Sequence, residues 1–472
     1  MPFSEALRDY LLTHKPDNEK NKIGQIMRDH LAWILNCPDF SNRQRNTASM
    51  IAACKTESMG YYAEYCPKCD KVIAIHYRSC KNHCCPSCQT TSQMRWSMLR
   101  QAEIIPDIPY FHVVLTLPHE LNSLILANRK ELLGLLFRAS SDSVIQLSLD
   151  PRFLGAKPGI ISVIHSWSQE LSTHMHVHLI ISGGGLDKNG VFIRLKDGWE
   201  KRTEEAENLA SKEEVSSAMQ ESIGAALQAE DLAIVNGEEG QPIRLQPVVS
   251  QHEKRVPFFL PERALTKLFR GKYLAGLSSL YKNGKLRLPG DLDYLNNPYE
   301  WSAFGQKLGE MSWVGHVVRT FQGNGNAIEY LARYTFRTAI SNSRILEYDG
   351  NHVTISCRNN SDYHKKRIVK MNVYEFIRRY LTHVPPKSFS RIRYSGFLSN
   401  SCKTKNLKSI LEQVSNMEYR PAKTKESVNS AIIETLHSLG FHDDCPCCGT
   451  KLSIIGIGIN LPKGRRRASP AA

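Results

Sequence analysis

The stretch HMHVHLIISGGG, residues 174–185, constrains this chain more than any other. Residues two apart on a β-strand point to the same side. On a strand, His174, His176 and His178 line one face while Met175, Val177 and Leu179 line the other. The apolar face asks for a core, and the imidazole face offers nitrogen ligands to a metal ion. The chain holds 17 histidines in 472 residues. That composition gives about 0.6 His-x-His pairs by chance, but only about 0.02 alternating triplets. The run is therefore not an accident of composition. A surface strand carrying histidines for other reasons is the competing reading.

Around this run the pattern alternates between the two periods. LRDYLLTH and IGQIMRDHLAWIL read as amphipathic helices within residues 1–50. MRWSMLRQAEII reads as a helix that ends before Pro106, YFHVVLTLP (110–118) as a strand, and the following stretch to about residue 148 as helical. GIISVIHSW (159–167) and HMHVHLIIS (174–182) are two strands close enough to pair. PERALTKLFRGKYLAGLSSLY (261–281) is a helix, and WVGHVVRTFQ (313–322) a strand broken by Gly323-Asn324-Gly325. NAIEYLARYTFRTAI then continues as a helix, RILEY-DG-NHVTISC (344–357) is a hairpin, and VYEFIRRYLTHV is a helix stopped by Pro385-Pro386. The glycines at 183–185 and 323–325 suit close backbone approach, a moving helix or plain turns, and neither run is a phosphate-binding loop, since no Gly-Lys-Ser/Thr follows.

Thirteen cysteines raise the question of compartment. The N-terminus is too polar for a signal peptide, and no stretch approaches the roughly 18 apolar residues of a membrane span. We expect a cytoplasmic, nucleoid-associated bacterial protein whose thiols stay reduced, so that cysteines serve as metal ligands before disulfides. Cys66-Pro-Lys-Cys69 and Cys85-Pro-Ser-Cys88 are two Cys-x-x-Cys pairs with fifteen residues between them, the spacing of a zinc ribbon or finger. Cys54, Cys80 and Cys84, with a histidine such as His83, could hold a second zinc or be spare. All-thiolate sites leave no open position, so the expected role is structural. Cys445-Pro-Cys447-Cys448 is half of a possible further site, with His437 or His442 as the only visible complement.

The formal charge is +15. It is concentrated in residues 361–472, with 20 Lys/Arg against 8 Asp/Glu, whereas residues 201–240 hold 3 against 10. A basic C-terminal third fits contact with a phosphate backbone, and an ordinary basic surface is the alternative. The acidic stretch reads as a helical insertion with a solvated face.

Tyr330 and Tyr334 are four apart on the expected helix, about 40° from one another around its axis. Arg337 and Ser341 extend that stripe, opposite Ile328, Ala332, Thr335 and Ala339. Paired tyrosines on a helix are commonly packing. Together with the histidine strand, however, they suit metal-assisted transesterification of DNA, in which a tyrosine attacks a phosphate and Arg337 offsets charge.

SCKNHCCPSCQ, YFHVVLTLP, HSWSQELSTHMHVHLIISGGGL, LTKLFRGKYLAGL, EYLARYTFRTAISNSR and FSRIRYSGFL occur in an order that resembles the rolling-circle transposases of the family named after insertion sequence 91, of the two-tyrosine type within the HUH superfamily. The likeness spans roughly residues 50–400. It implies an α+β, HUH-endonuclease-like fold: a central antiparallel sheet with flanking helices, preceded by an N-terminal helical and zinc-binding module. It also implies cleavage and rejoining of single-stranded DNA at element ends with Mg²⁺ or Mn²⁺, structural Zn²⁺, and DNA as partner. By position, His176-Val177-His178 matches the paired-histidine motif, and Tyr330 and Tyr334 match the nucleophiles. Met175 stands where proline is usual, Phe336 where histidine often follows the second tyrosine, and Tyr62 and Cys84 where zinc-segment histidines are expected. The third ligand of the catalytic metal stays open. His174 lies on the right face, but three ligands two apart on one strand do not converge easily on one ion. His165 on the neighbouring strand is the alternative, Gln169 a further one, and His112 is taken as a structural strand residue.

The expected organisation is a helical segment at 1–50, a zinc-binding DNA-recognition module at 51–105, a catalytic domain at 106–345 with the acidic insertion at about 186–255, and a basic C-terminal region at 346–472. A plasmid replication initiator or relaxase would share the chemistry. A zinc-containing DNA-binding regulator without nuclease activity is the reading from another class.

Overall fold

The computed structural model describes residues 2–13, 21–101, 103–195, 258–322, 335–358, 366–415 and 441–457. Strands form where β-branched and aromatic residues alternate. In chain order they are β1 Tyr61–Cys66, β2 Lys71–Tyr77, β3 Pro109–Thr116, β4 Lys157–Trp167, β5 Thr173–Leu186, β6 Phe192–Arg194, β7 Val314–Gln322, β8 Ile345–Tyr348, β9 His352–Arg358, β10 Lys366–Asn372, β11 Ile392–Gly396 and β12 Ser453–Ile457. They build three antiparallel sheets, and helices flank them, so the chain is α+β.

The central sheet runs β11-β4-β5-β3-β7, with β6 paired to the far end of β5. Strand β5 is thus the middle strand. Met175, Val177, Leu179 and Ile181 on one of its faces pack into the largest core, with Phe111, Val113 and Leu115 of β3 and Ile160 and Ile164 of β4. Helices Arg129–Ser148 and Glu262–Lys282 close that face through Leu132, Leu136, Leu265, Phe269 and Tyr273. Ile180 on the opposite face belongs to a different core, with Tyr110, Ile161 and Val163, capped by Leu407 and Ile410 of the helix Lys403–Ser415. The histidines share that second face. The glycines at 183–185 lie inside β5, not in a turn. A Cβ on Gly185 would come within 2.6 Å of the Lys157 carbonyl oxygen, so close backbone approach is their reason.

A third core joins distant parts of the chain. Ile23, Ile26 and Ile51 from the N-terminal helices Lys22–Asp29 and Asn42–Ala53 pack with Val353 and Ile355 of β9 and with Phe376 and Tyr380 of the helix Val373–Thr382. The region expected as one basic C-terminal unit, 346–472, is consequently divided. Its first part completes the N-terminal core, β11 is an edge strand of the central sheet, and β12 joins β1 and β2. Burial of short apolar runs spread through a basic stretch explains the division, because charge composition does not report which residues alternate inward.

The Asp349-Gly350 hairpin forms as its sequence demands, with Gly350 at φ 91° and the Asp349 carboxylate accepting from the Asn351 and His352 backbone N–H groups. The helix expected over NAIEYLARYTFRTAI, residues 326–340, does not run to that end. Thr335 is its last helical residue, and the chain from Phe336 onward is irregular up to the short turn Asn342–Arg344. Ala339 and Ile340 are buried in the core that joins the N-terminal helices to β9. No helix among the described residues is long and apolar enough to cross a membrane.

Candidate metal centres

Strand pairing assembles the first centre. His165 on β4 lies directly opposite His176 on β5, and Val163 opposite His178. One ring nitrogen from each of His165, His176 and His178 falls within 4.8 Å of the others, and all three residues are buried. Nδ1 of His165 is 3.0 Å from Nε2 of His178. The Nδ1 of His176 sits 3.2 Å from the His174 carbonyl oxygen, which can only accept, so this nitrogen carries the proton and Nε2 is left as the ligand atom. The His165 ring is held flat against Trp167, with centroids 4.6 Å apart.

His174 was the third candidate on the β5 face, and its ring stands outside this group. Successive same-face residues on a strand are separated by nearly 7 Å, so a run of three outreaches a single ion. A neighbouring strand supplies the third nitrogen instead. Gln169 lies in the connection after β4, where its carbonyl accepts from Arg344 and from the Cys357 thiol. Sequence reasoning gave His112 no place here, yet its Nε2 is 2.9 Å from Nδ1 of His178, and it is buried on β3. The two rings stack at 5.2 Å. The signal was present in YFHVVLTLP, where alternation puts His112 on the same side as Val114, away from the apolar set Phe111, Val113 and Leu115.

Tyr330 and Tyr334 lie outside the described residues, as does most of the acidic insertion. Arg337 is described. It is not helical, and its carbonyl accepts from the Arg391 guanidinium. Arg391 also donates to the His83 carbonyl, and Arg129 donates to the carbonyls of Val384 and Thr382. Burial lowers the Arg129 guanidinium to about 10 and depresses that of Arg391. Among the described residues neither pairs with a carboxylate. Both line a cleft with Ser166, Trp167 and His383, at the end of β4 that follows His165.

Eight of the thirteen cysteines fall into two groups of four, and the grouping differs from the expected pairing. Cys85 and Cys88 do not join Cys66 and Cys69. They converge with Cys54 and Cys80, while Cys66 and Cys69 converge with Cys445 and Cys448. Cys84 belongs to neither group, and burial pushes its thiol up. The Asn82 side chain caps its backbone N–H, and its carbonyl accepts from the Tyr380 hydroxyl. Tetrahedral zinc with bonds of about 2.3 Å needs sulfur–sulfur edges of about 3.8 Å. Cys80 and Cys88 are 3.7 Å apart, Cys66 and Cys448 3.5 Å, and Cys69 and Cys445 4.0 Å. In the first group, hydrogen bonds from Cys80, Cys85 and Cys88 drive the Cys54 thiol far below its ordinary range. Four thiols at tetrahedral spacing are the donor set that zinc selects.

Comparison with known proteins shows which family the chain belongs to. Residues 26–117 match the family described as "Transposase zinc-binding domain", and residues 159–240 and 244–406 match the family described as "Putative transposase". Among curated proteins, the chain is 30% identical over 369 residues to "Putative transposase y4qJ" of Sinorhizobium fredii, covering 78% of this chain and 77% of that protein. It is 25% identical over 359 residues to "Transposase for insertion sequence element IS801" of Pseudomonas savastanoi pv. phaseolicola, covering 75% of this chain and 70% of that one. No solved structure matches the chain. The zinc-binding family and the thiol clusters together support structural zinc.

Proposed function

Since this chain belongs to the transposase family named after insertion sequence 91, we propose that it moves its element by cutting and rejoining single strands of DNA through 5′-phosphotyrosine intermediates, in the rolling-circle manner. The observation that carries this reading is the convergence of His165, His176 and His178 on the central sheet. Three buried imidazoles fit a divalent ion, and an all-nitrogen set suits Mn²⁺ better than Mg²⁺, which prefers oxygen. Such an ion supplies Lewis-acid withdrawal of charge from the scissile phosphate.

The protein's own groups do the rest. Tyr330 or Tyr334 gives up its phenolic proton, and its oxygen attacks phosphorus. The bond from phosphorus to the 3′-oxygen breaks, and that oxygen leaves as a hydroxyl once protonated. One ester replaces another and no water is consumed, so a 3′-hydroxyl can reverse the step. Two tyrosines allow two such links in succession. Arg129 and Arg391 offer charge for the flanking phosphates at the cleft beside β4. His112 fixes the ring of His178.

The test is a covalent-adduct assay. Labelled single-stranded DNA from the element's ends is incubated with the protein and Mn²⁺ or EDTA, then run on a denaturing gel beside a Tyr330→Phe/Tyr334→Phe variant. We expect a metal-dependent labelled band that the variant lacks. DNA binding without any adduct would overturn this reading and leave a zinc-anchored regulator. An adduct formed only on plasmid origin sequences would point to a replication initiator or relaxase.

A further inference from the structure

We propose that Cys66, Cys69, Cys445 and Cys448 form a second zinc site, split between the two ends of the chain, whose ion staples residues 441–457 onto the β1–β2 hairpin. The zinc-binding family match ends at residue 117, so half of this ligand set lies outside it. The site is independent of the nucleolytic chemistry proposed above.

Two similar knuckles build it. Each is Cys-Pro-x-Cys, followed by a residue in the left-handed region: Asp70 at φ 52° and Gly449 at φ 66°. That turn folds each pair of thiols to one side. In the first knuckle the Cys69 N–H donates to Cys66 Sγ at 3.4 Å. In the second, the Gly449 N–H donates to the Cys445 carbonyl at 2.8 Å, and the Cys445 N–H to the Thr450 carbonyl at 2.9 Å. Each knuckle leads into a strand, β2 or β12, and both strands pair with β1. The two knuckles therefore meet at the same end of a three-stranded sheet, with their sulfurs at tetrahedral spacing.

Other contacts bring the segments into register. The Glu64 carboxylate, fully buried in β1, accepts from the His442 backbone N–H at 3.1 Å and contacts His442 Nδ1 at 3.0 Å and His76 Nε2 at 2.8 Å. The His76 and Phe441 rings stack at 3.4 Å. The segment is short and β12 is largely exposed, with Ile454 60% exposed, so apolar burial alone holds it weakly. A four-thiolate ion is the strong tie available to it. Cys69 and Cys448 are partly open to solvent, whereas Cys54 and Cys85 of the other cluster are fully buried.

The experiment measures zinc per chain in the full-length protein, by metal analysis and by release to a chromogenic chelator. We expect about two zinc ions per wild-type chain and about one in both Cys66→Ser/Cys69→Ser and Cys445→Ser/Cys448→Ser. The ion lost in those variants is the one that wild type yields first to chelator, and Cys447→Ser, at an exposed non-ligand thiol, keeps both. Amide exchange should rise across β12 and β1 in the Cys445→Ser/Cys448→Ser variant while β5 stays protected. One zinc in wild type, undiminished zinc in either double variant, or unchanged exchange in β12 would each overturn the proposal.

Discussion

Nε2 of His178 lies 3.0 Å from Nδ1 of His165, on adjacent strands of the central sheet, although thirteen positions separate them in sequence. His174, only four positions from His178, is not part of the group. His165→Ala should therefore lower metal-dependent strand cleavage by about a hundredfold or more, since a lost ligand removes several kcal/mol of charge stabilisation. His174→Ala should leave cleavage within a few-fold of wild type, because the His174 ring lies outside the ligand group and the variant keeps the backbone carbonyl that meets His176 Nδ1. Cleavage rates on end-derived single strands, with zinc content as the folding control, separate the two. Equal loss in both variants would contradict the ligand set.

His112 acts through His178. His112→Gln should weaken Mn²⁺ binding about 10–100-fold, as lost outer-shell partners do. Saturating Mn²⁺ should then recover most of the rate. Titration of cleavage against Mn²⁺ reads this directly; an unchanged midpoint would make His112 a packing residue only.

Tyr330→Phe and Tyr334→Phe should impair different steps. One should stop the first cut and the other the second transfer, since each phenol can hold only one strand at a time. Separate assays on donor-end cleavage and on strand joining distinguish them. Wild-type behaviour of both single variants in both assays would remove the two-nucleophile scheme.

Cys84 stands beside Cys85 in sequence but not in the thiol cluster. Cys84→Ser should keep full zinc content, whereas Cys85→Ser should lose the ion of the inner site and, with it, stability of the N-terminal core. Zinc analysis and thermal melting of the two variants are the comparison. Zinc loss in Cys84→Ser would return that thiol to the ligand set.

His383 is buried, with Nε2 3.0 Å from the Leu171 carbonyl and Nδ1 3.1 Å from the Ser166 hydroxyl. Burial pushes its pKa down to about 4. Its ordinary value is about 6.5, so the unfolded chain takes up the proton first as pH falls. The neutral ring's full contribution is present above pH about 6.5 and is lost progressively toward pH 4, a total of about 3 kcal/mol. Urea unfolding at pH 7 and pH 5 should show a drop that His383→Gln lacks. Equal drops in both proteins would remove His383 as the titrating group.

The sequence by itself determined the local geometry of this protein. Alternation in HMHVHLII specified a strand with an apolar and an imidazole face, because side-chain direction on a pleated ribbon has period two. Cys-Pro-x-Cys specified knuckles, and Asp-Gly a tight hairpin turn, because these depend on backbone angles over a few residues. The family was legible in the same way, from short motifs in order. Tertiary structure decided which of those local pieces meet. His165 replaces His174 because a neighbouring strand reaches where the same strand cannot. His112 approaches His178 across 66 positions of sequence, and Cys66 meets Cys448 across 382. Spacing in the chain carries no information about such pairs. They are set by strand order, register and core burial, which bring distant residues together only once the whole chain has folded.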